Sequence, residues 1–203
     1  MSAGLTAAVA RSDNEGKYRS RNPIVRRLVG RFLAHVATAV ARARPRSVLE
    51  VGCGEGAVLE YLADRNPGTR FDGLELDPAA LARARRRCPR TSLLRGDVYT
   101  LPFAAQAYDL VLCLEVLEHL PDPGRALREI RRVARHGLLL SVPHEPFFRL
   151  GNALRGRHWR HLGNPEDHLQ HWGARGFAAF CAEHVTVESC RSAFPWLLVY
   201  GTV

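Results

Sequence analysis

The feature that most constrains the fold is a short apolar run that carries an acid and is followed by three glycines at alternate positions. The run is Val48–Val51 with its acid at Glu50, and the glycines are Gly52, Gly54 and Gly56. A short apolar run that ends at a glycine is typical of a buried strand. Glycine adopts positive φ without a steric penalty and lets the backbone approach a ligand closely. The segment therefore predicts a strand that leads into a tight, ligand-binding turn.

Strand-like and helix-like segments alternate through most of the chain, a pattern that favours a parallel, doubly wound sheet. Two strand-like runs follow one another at the end, which indicates an antiparallel hairpin at the sheet edge. We therefore expect an α/β protein with a single Rossmann-like domain, whose mostly parallel seven-stranded sheet has an antiparallel terminal strand. The predicted strands are 47–51, 70–76, 92–94, 108–114, 136–142, 185–190 and 196–203, and the predicted helices are 23–43, 57–64, 78 onward, 123–134 and 174–183.

The chain has 203 residues, enough for one α/β domain with a substantial core. We expect a flexible N-terminus over residues 1–16 and one domain over residues 17–203. Residues 143–172 interrupt the alternation and are rich in His, Pro, Gly and Trp. Since structureless loops longer than ~12–15 residues are usually functional or disordered, this insertion predicts a lid over the substrate.

Cysteine usage and hydropathy predict the compartment. The five cysteines form no C-x-x-C pair, which favours reduced thiols and the cytoplasm. The first ten residues lack the basic start of a signal peptide, and no apolar run reaches the ~18 residues that a membrane span requires. We expect a cytoplasmic protein, without a membrane span, that is a monomer or a homodimer.

The charge is strongly basic, at +9, and Lys17 is the only lysine. A basic surface attracts phosphates, nucleic acid or acidic lipid. Many of the arginines fall on amphipathic helices, however, where they are typical of ordinary solvated faces. The chain has no room for a separate nucleic-acid module and carries no zinc-knuckle or RNP motif. We therefore expect a small-molecule or lipid-linked substrate, with RNA as the alternative.

Residues suited to ligand binding follow the predicted strands. In open α/β sheets, ligands bind beyond the carboxyl ends of the strands. Glu75 follows the glycines by about 20 residues, where an acid accepts hydrogen bonds from ribose hydroxyls. Asp97 follows the third strand, and its side chain with the next N–H matches an adenine edge. Asp77 is a second acid beside Glu75, but Pro78 follows it, so we interpret Asp77 as a helix cap.

These segments, in this order, resemble the motifs of class I S-adenosylmethionine (SAM)-dependent methyltransferases over about residues 18–142. The spacing is G-x-G-x-G, whereas a dehydrogenase has its third glycine one position later and a P-loop requires Gly-Lys-Ser/Thr. The resemblance implies SAM as the cofactor, with its methionine end at the glycines, its ribose at Glu75 and its adenine at Asp97. The implied cofactor-binding residues are Glu50, Gly52, Cys53, Gly54, Gly56, Glu75, Leu76, Gly96, Asp97, Val98 and Leu114.

A second segment, Glu115-Val-Leu-Glu118-His119, follows the fourth strand. Residues at i, i+3 and i+4 share one face of a helix, so these three side chains converge if the segment is helical. Two carboxylates and an imidazole suit Mg²⁺, Mn²⁺ or Zn²⁺. E-x-x-E-H resembles ubiquinone-pathway O-methyltransferases and small-RNA 2′-O-methyltransferases, and in the RNA group these residues and a later histidine bind a metal. His168 is the candidate for that histidine, with His171 and His144 in reserve.

The same segment also resembles a motif of metal-free small-molecule methyltransferases, in which the first Glu lines the cofactor pocket and the His orders the loop or acts as a base. The candidate catalytic residues are then Glu115, His119 and His144. We predict methyl transfer from SAM to a small-molecule or lipid-linked acceptor, at a hydroxyl oxygen, in biosynthetic tailoring. The alternatives are a metal-dependent RNA 2′-O-methyltransferase and a non-catalytic SAM-binding subunit.

Overall fold

A seven-stranded sheet forms the centre of the computed structural model, which describes residues 15–145 and 169–203. Its strands are β1 (Ser47–Val51), β2 (Arg70–Glu75), β3 (Ser92–Arg95), β4 (Tyr108–Leu114), β5 (Ala134–Pro143), β6 (Thr186–Ala193) and β7 (Trp196–Thr202). They lie in the order β3-β2-β1-β4-β5-β7-β6. β7 runs antiparallel to β5 and β6, whereas the other neighbouring pairs are parallel. The predicted fold class is confirmed.

The helices of the described residues are α1 (Glu15–Tyr18), α2 (Pro23–Ala43), α3 (Ala57–Ala63), α4 (Pro78–Arg87), α5 (Pro123–Val133) and α6 (Ala174–Ala182). The side chains of Asn22 and Asp77 accept hydrogen bonds from the first turns of α2 and α4, at 2.9 Å from the N–H groups of Ile24 and Ala79. Both predicted caps, each followed by proline at the first helical position, are therefore confirmed. Within the described residues no helix has the length and apolar character to cross a bilayer.

The two faces of the sheet are covered by different helices, and the strand periodicity explains why. Along β4, Leu110, Leu112 and Leu114 pack in one core cluster with α2 and α3, while Val111 and Cys113 pack in the other with α5 and α6. Successive side chains of a strand point to opposite faces, so a continuous apolar run is buried on both. This two-sided burial leaves the ends of the strands as the accessible edge.

Most of the predicted lid lies outside the described residues, which stop at 145 and resume at 169. Its two ends meet, because the Glu145 N–H donates to the carbonyl of Trp172 at 3.1 Å. The indole of Trp172 packs against Phe177 and Phe180, with ring centroids 5.5 and 5.2 Å away. The insertion therefore leaves and rejoins the domain at one place, next to α6.

Candidate active site

The glycine turn after β1 uses backbone conformations that other residues rarely adopt. Gly52, Gly54 and Gly56 have φ values of 75°, 53° and 77°. A Cβ at Gly52 would overlap Cγ2 of Val116, whereas a Cβ at Gly54 would meet nothing within 4 Å. Gly52 is therefore required by packing, while Gly54 borders open space that a ligand can enter.

Gly56 closes the glycine turn and is not among the described residues that line the pocket below, so its predicted contact with the cofactor stays a prediction. Its N–H donates to the Cys53 carbonyl at 2.9 Å and closes the turn. A Cβ at Gly56 would lie 3.0 Å from the sulfur of Cys88, at the end of α4. This glycine thus allows α3 and α4 to pack closely.

The carboxylate of Glu75 is fixed beside the glycine turn by two backbone donors. Its Oε2 accepts from the Gly54 N–H at 2.8 Å, and its Oε1 accepts from the Asp77 N–H at 2.9 Å. The Asp77 carboxylate is engaged elsewhere, since it caps α4. Glu75 is therefore the acid at the end of β2 that is placed to accept further hydrogen bonds from a ligand.

The segment predicted to bind adenine lies next to Glu75. The Gly96 N–H donates to the Glu75 carbonyl at 3.1 Å and continues the β2–β3 pairing. Asp97 is exposed, and its Oδ1 accepts from the Tyr99 N–H at 2.9 Å. Val98 is buried in the core, and Leu76 is half-buried. The carboxyl ends of β2 and β3 thus lie at the same edge of the sheet as the glycine turn after β1.

A pocket opens between the glycine turn, the end of β4 and α1. Five predicted cofactor-binding residues line it: Glu50, Gly52, Cys53, Gly54 and Leu114. Glu115 also lines it, and so do residues that the sequence analysis did not single out: Lys17, Tyr18, Glu55, Ala57, Val58 and Arg87. A larger groove runs between α2 and β7, but no predicted cofactor-binding residue lines it. The chemistry of the smaller pocket makes it the candidate site.

Two acids of this pocket, Glu50 and Glu55, each have a buried carboxylate oxygen without a hydrogen-bond partner, but only Glu50 also lacks an ion pair among the described residues. Glu55 pairs with Arg83 at 2.6 Å, and Glu115 pairs with Lys17. Glu50 is 2% exposed, and its Oε2 has no hydrogen-bond partner among the described residues. Burial, and then the charge of Glu75, raise the pKa of Glu50. A buried carboxyl of this kind suits a cationic ligand group such as the ammonium of an amino acid.

Replacing Glu50 with glutamine is expected to stabilise the ligand-free protein. Because the pKa of Glu50 is raised on folding, the folded chain holds its proton more tightly, and stability falls as pH rises above the unfolded pKa of ~4.3. Glu50→Gln removes this loss and should gain about 1 kcal/mol at pH 8. Thermal unfolding midpoints from pH 5 to 8 measure the effect. Parallel curves for the variant and wild type would contradict it, and Glu183→Gln, at an exposed site, is the control.

The segment from Glu115 to His119 is not α-helical, so its two carboxylates and its imidazole do not converge on one face as predicted. Glu115 has a left-handed φ of 57°, and Leu117–His119 forms a single 3₁₀ turn. Glu118 is 1% exposed. It lies near Cys113, and the pKa of that thiol is raised first by burial and then by the negative charge of Glu118. In residues 15–145 and 169–203, no three His, Cys, Asp or Glu side chains are grouped to hold a metal ion. His168 lies outside the described residues, so a metal site completed there stays a prediction.

The candidate catalytic residues are divided between the pocket and its surroundings. Glu115 lines the pocket, but His119 and His144 are not among its described lining residues. Both histidines are half-buried, and the His144 N–H donates to the Pro195 carbonyl at 2.8 Å. Their catalytic roles remain predictions.

Burial keeps two other pocket groups protonated. It raises the pKa of Tyr18, with further contributions from Glu115 and Glu50. It also holds the pKa of Cys53 well above that of a free thiol, again with a contribution from Glu50. Since a thiol is a poor nucleophile compared with its thiolate, Cys53 is a pocket wall and not a reactive group.

Comparison with known proteins agrees with the geometry. Residues 49–142 match a family described as "Methyltransferase domain". A probable SAM-dependent methyltransferase of Mycolicibacterium smegmatis is 36% identical over 62% of this chain and 49% of its own length. A probable tocopherol O-methyltransferase of Oryza sativa is 35% identical over 50% of this chain and 30% of its own length. A crystal structure from Pyrococcus horikoshii shares the fold, with a TM-score of 0.70 and 18% identity over 92% of this chain and 95% of that one.

The chain spans about half or less of the length of the curated relatives it matches. The matched region contains β1 to β5, and with them the glycine turn, Glu75 and the pocket wall at Leu114. The residues expected to hold SAM are therefore in the matched region; five of them line one pocket, and Glu75 is hydrogen-bonded to one of these five, Gly54. Over residues 49–142 this chain matches the methyltransferase-domain family, and over most of its length it has the fold of the solved Pyrococcus horikoshii structure.

Proposed function

We propose that this chain transfers a methyl group from SAM to an oxygen of a small-molecule or lipid-linked acceptor. The observation that carries the proposal is the pocket at the glycine turn, in which the Glu50 carboxyl lacks a partner for one oxygen and Gly54 borders open space. SAM contains a cationic amino-acid end and a ribose; the pocket offers a buried acid for the first, and Glu75, hydrogen-bonded to the pocket residue Gly54, is available for the second.

Each residue has a distinct part in this proposal. Glu50 binds the ammonium of the methionine end, and Gly54 leaves room for it. The backbone-fixed Glu75 accepts from the ribose hydroxyls, since a carboxylate held by two N–H groups is already oriented. Asp97 reads the adenine. When bound, SAM would supply an electrophilic methyl group; the chain's contribution is to position the acceptor and exclude water.

Oxygen as the acceptor atom is supported by the relative named as a probable tocopherol O-methyltransferase. The metal-dependent RNA alternative is less well supported, because Glu115, Glu118 and His119 are not grouped in the described residues. The basic surface remains consistent with an acidic lipid or a phosphorylated acceptor.

Methyl transfer is tested with tritiated SAM and the purified full chain. Acceptors are simple phenols, alcohols, amines, a short RNA with a free 2′-hydroxyl, and a lipid extract of the source organism. We expect label in an oxygen-methylated product and none in the amines. Exclusive labelling of RNA or of amines would contradict the proposal. Binding of S-adenosylhomocysteine without transfer to any acceptor would instead identify a non-catalytic SAM-binding subunit.

A further inference from the structure

Lys17, the only lysine of the chain, has its ammonium group in the pocket. Its Nζ lies 2.5 and 2.6 Å from the two carboxylate oxygens of Glu115. The two side chains are only 18% and 10% exposed. Lys17 is the sole residue of its type in an otherwise arginine-rich chain, and it lies where Leu114 and Glu115 form the wall at the end of β4.

Two aromatic rings hold the Lys17 ammonium in place. Its Nζ lies 5.2 Å from the centroid of Tyr18 and 5.5 Å from that of Trp196, within the range of cation–π attraction. Trp196 is itself fixed, being 5% exposed and packed on Phe32 at a centroid distance of 5.0 Å. The ammonium is therefore oriented by three side chains and is not a freely moving surface charge.

The carboxylate partner of Lys17 is held on a backbone that other residues avoid. Glu115 has φ of 57°, a left-handed conformation that costs about 1–2 kcal/mol for a residue with a Cβ. Its N–H donates to the Ser141 carbonyl at 3.0 Å, which fixes this conformation against β5. Backbone strain of this kind is concentrated at functional sites. Here it is found at the residue that places a carboxylate beside Lys17.

A lysine in this pocket has a consequence for the acceptor. The sulfonium of SAM is cationic, and so is Lys17, so the two repel each other unless negative charge lies between them. Glu115 supplies one negative charge. When an acceptor hydroxyl gives its proton to Glu115, that negative charge moves to the acceptor oxygen that attacks the methyl group, whereas a protonated amine would add a third cation.

We infer that Lys17 and Glu115 form a catalytic pair for an acidic hydroxyl acceptor, phenol-like in chemistry, that reacts as its anion. This inference rests on the proposed function. The hydroxyl proton passes to Glu115, and the Lys17 ammonium stabilises the oxyanion. The acceptor oxygen then forms a bond to the methyl carbon while the carbon–sulfur bond breaks and leaves its electron pair on sulfur. The products are a neutral methyl ether, S-adenosylhomocysteine and a protonated Glu115, which returns its proton to water.

The test uses 4-nitrophenol, whose anion absorbs visible light, added to the full chain with saturating S-adenosylhomocysteine. Binding beside Lys17 should lower the pKa of the bound phenol by ~1 unit, which is about tenfold tighter binding of the anion than of the neutral form. Lys17→Met should abolish this shift, and Lys17→Arg should restore most of it. Arg21→Met removes one charge from an exposed site of the same segment and should leave the shift intact.

Glu115→Gln should change phenolate binding and methyl transfer in opposite directions. Without the competing carboxylate, the anion of 4-nitrophenol should bind more tightly than to wild type, while methyl transfer to phenols should fall because the proton acceptor is lost. A lysine that only supports Glu115 would give no phenol shift in wild type, and that result would overturn the inference. Tighter binding of the cation 4-nitrobenzylammonium to wild type than to Lys17→Met would also overturn it.

Calorimetry with S-adenosylhomocysteine on the same samples separates the two proposals. If the cofactor product binds and the phenol shift is absent, the catalytic pair is wrong and the proposed function stands. If S-adenosylhomocysteine does not bind wild type, the proposed function fails and the pair fails with it.

Discussion

Glu75→Gln is expected to weaken binding of S-adenosylhomocysteine by about 100-fold. The Glu75 carboxylate accepts from the N–H groups of Gly54 and Asp77, so its two oxygens are oriented before any ligand arrives. An amide in its place turns an NH₂ group toward one of these donors and removes the charge that strengthens hydrogen bonds from the ribose hydroxyls. Losing two charge-assisted hydrogen bonds costs about 3 kcal/mol, which corresponds to this factor. Isothermal titration calorimetry measures it.

Asp77→Asn is the matched control for this experiment. Asparagine caps helices as well as aspartate does, so α4 should be preserved and the affinity for S-adenosylhomocysteine should change less than threefold, or about 0.6 kcal/mol. A loss at Asp77→Asn as large as that at Glu75→Gln would show that the ribose-binding acid has been misassigned.

Gly52→Ala is expected to destabilise the fold by about 3 kcal/mol, whereas Gly54→Ala should leave it folded and unable to bind cofactor. Both residues have positive φ, and alanine there costs about 1–2 kcal/mol. At Gly52 the new methyl group also overlaps Val116, and overpacking adds about 1–3 kcal/mol. At Gly54 it meets open space, so the methyl group occupies the pocket instead. Chemical denaturation and calorimetry with S-adenosylhomocysteine measure the two effects.

A second substitution separates the two causes at Gly52. Val116→Ala removes the overlapping methyl group, so Gly52→Ala with Val116→Ala should recover the overpacking part of the loss and retain the backbone part. If the double variant is no more stable than Gly52→Ala, the clash with Val116 is not the cause. Equal destabilisation by Gly52→Ala and Gly54→Ala would contradict the distinction between a packed and a ligand-facing glycine.

The fold was predictable because its signals are local. Asn22 and Asp77 each precede a proline and begin a helix, and the apolar run of β4 is long enough to be buried on both faces. The glycine spacing and Glu75 predicted residues that the structure brings together, because the carboxyl ends of β1 and β2 lie side by side in a parallel sheet. The predicted limits of β1, β4 and α2 match the observed ones, and the other limits differ by at most three residues, as expected where helix and strand ends are set by tertiary contacts.

The part of the site formed by Lys17 and Glu115 was less predictable from the sequence, because its contacts join distant parts of the chain. Lys17 and Glu115 are 98 positions apart, and nothing local to either residue indicates the pair. The E-x-x-E-H spacing predicts that the three side chains share one helical face. The left-handed φ of Glu115 and the 3₁₀ turn after it prevent this arrangement. Single-residue backbone conformations of this kind depend on surrounding packing, here the hydrogen bond to Ser141, and leave no periodic trace in the sequence.

The most direct test of the account is a crystal structure of the full chain with S-adenosylhomocysteine. We predict the ribose hydroxyls within hydrogen-bond distance of the Glu75 carboxylate, the amino group of the homocysteine end at Glu50, and its sulfur on the side of the pocket formed by Leu114 and Glu115. A ligand bound in the groove between α2 and β7, or in the pocket with its ribose away from Glu75, would contradict the central claim.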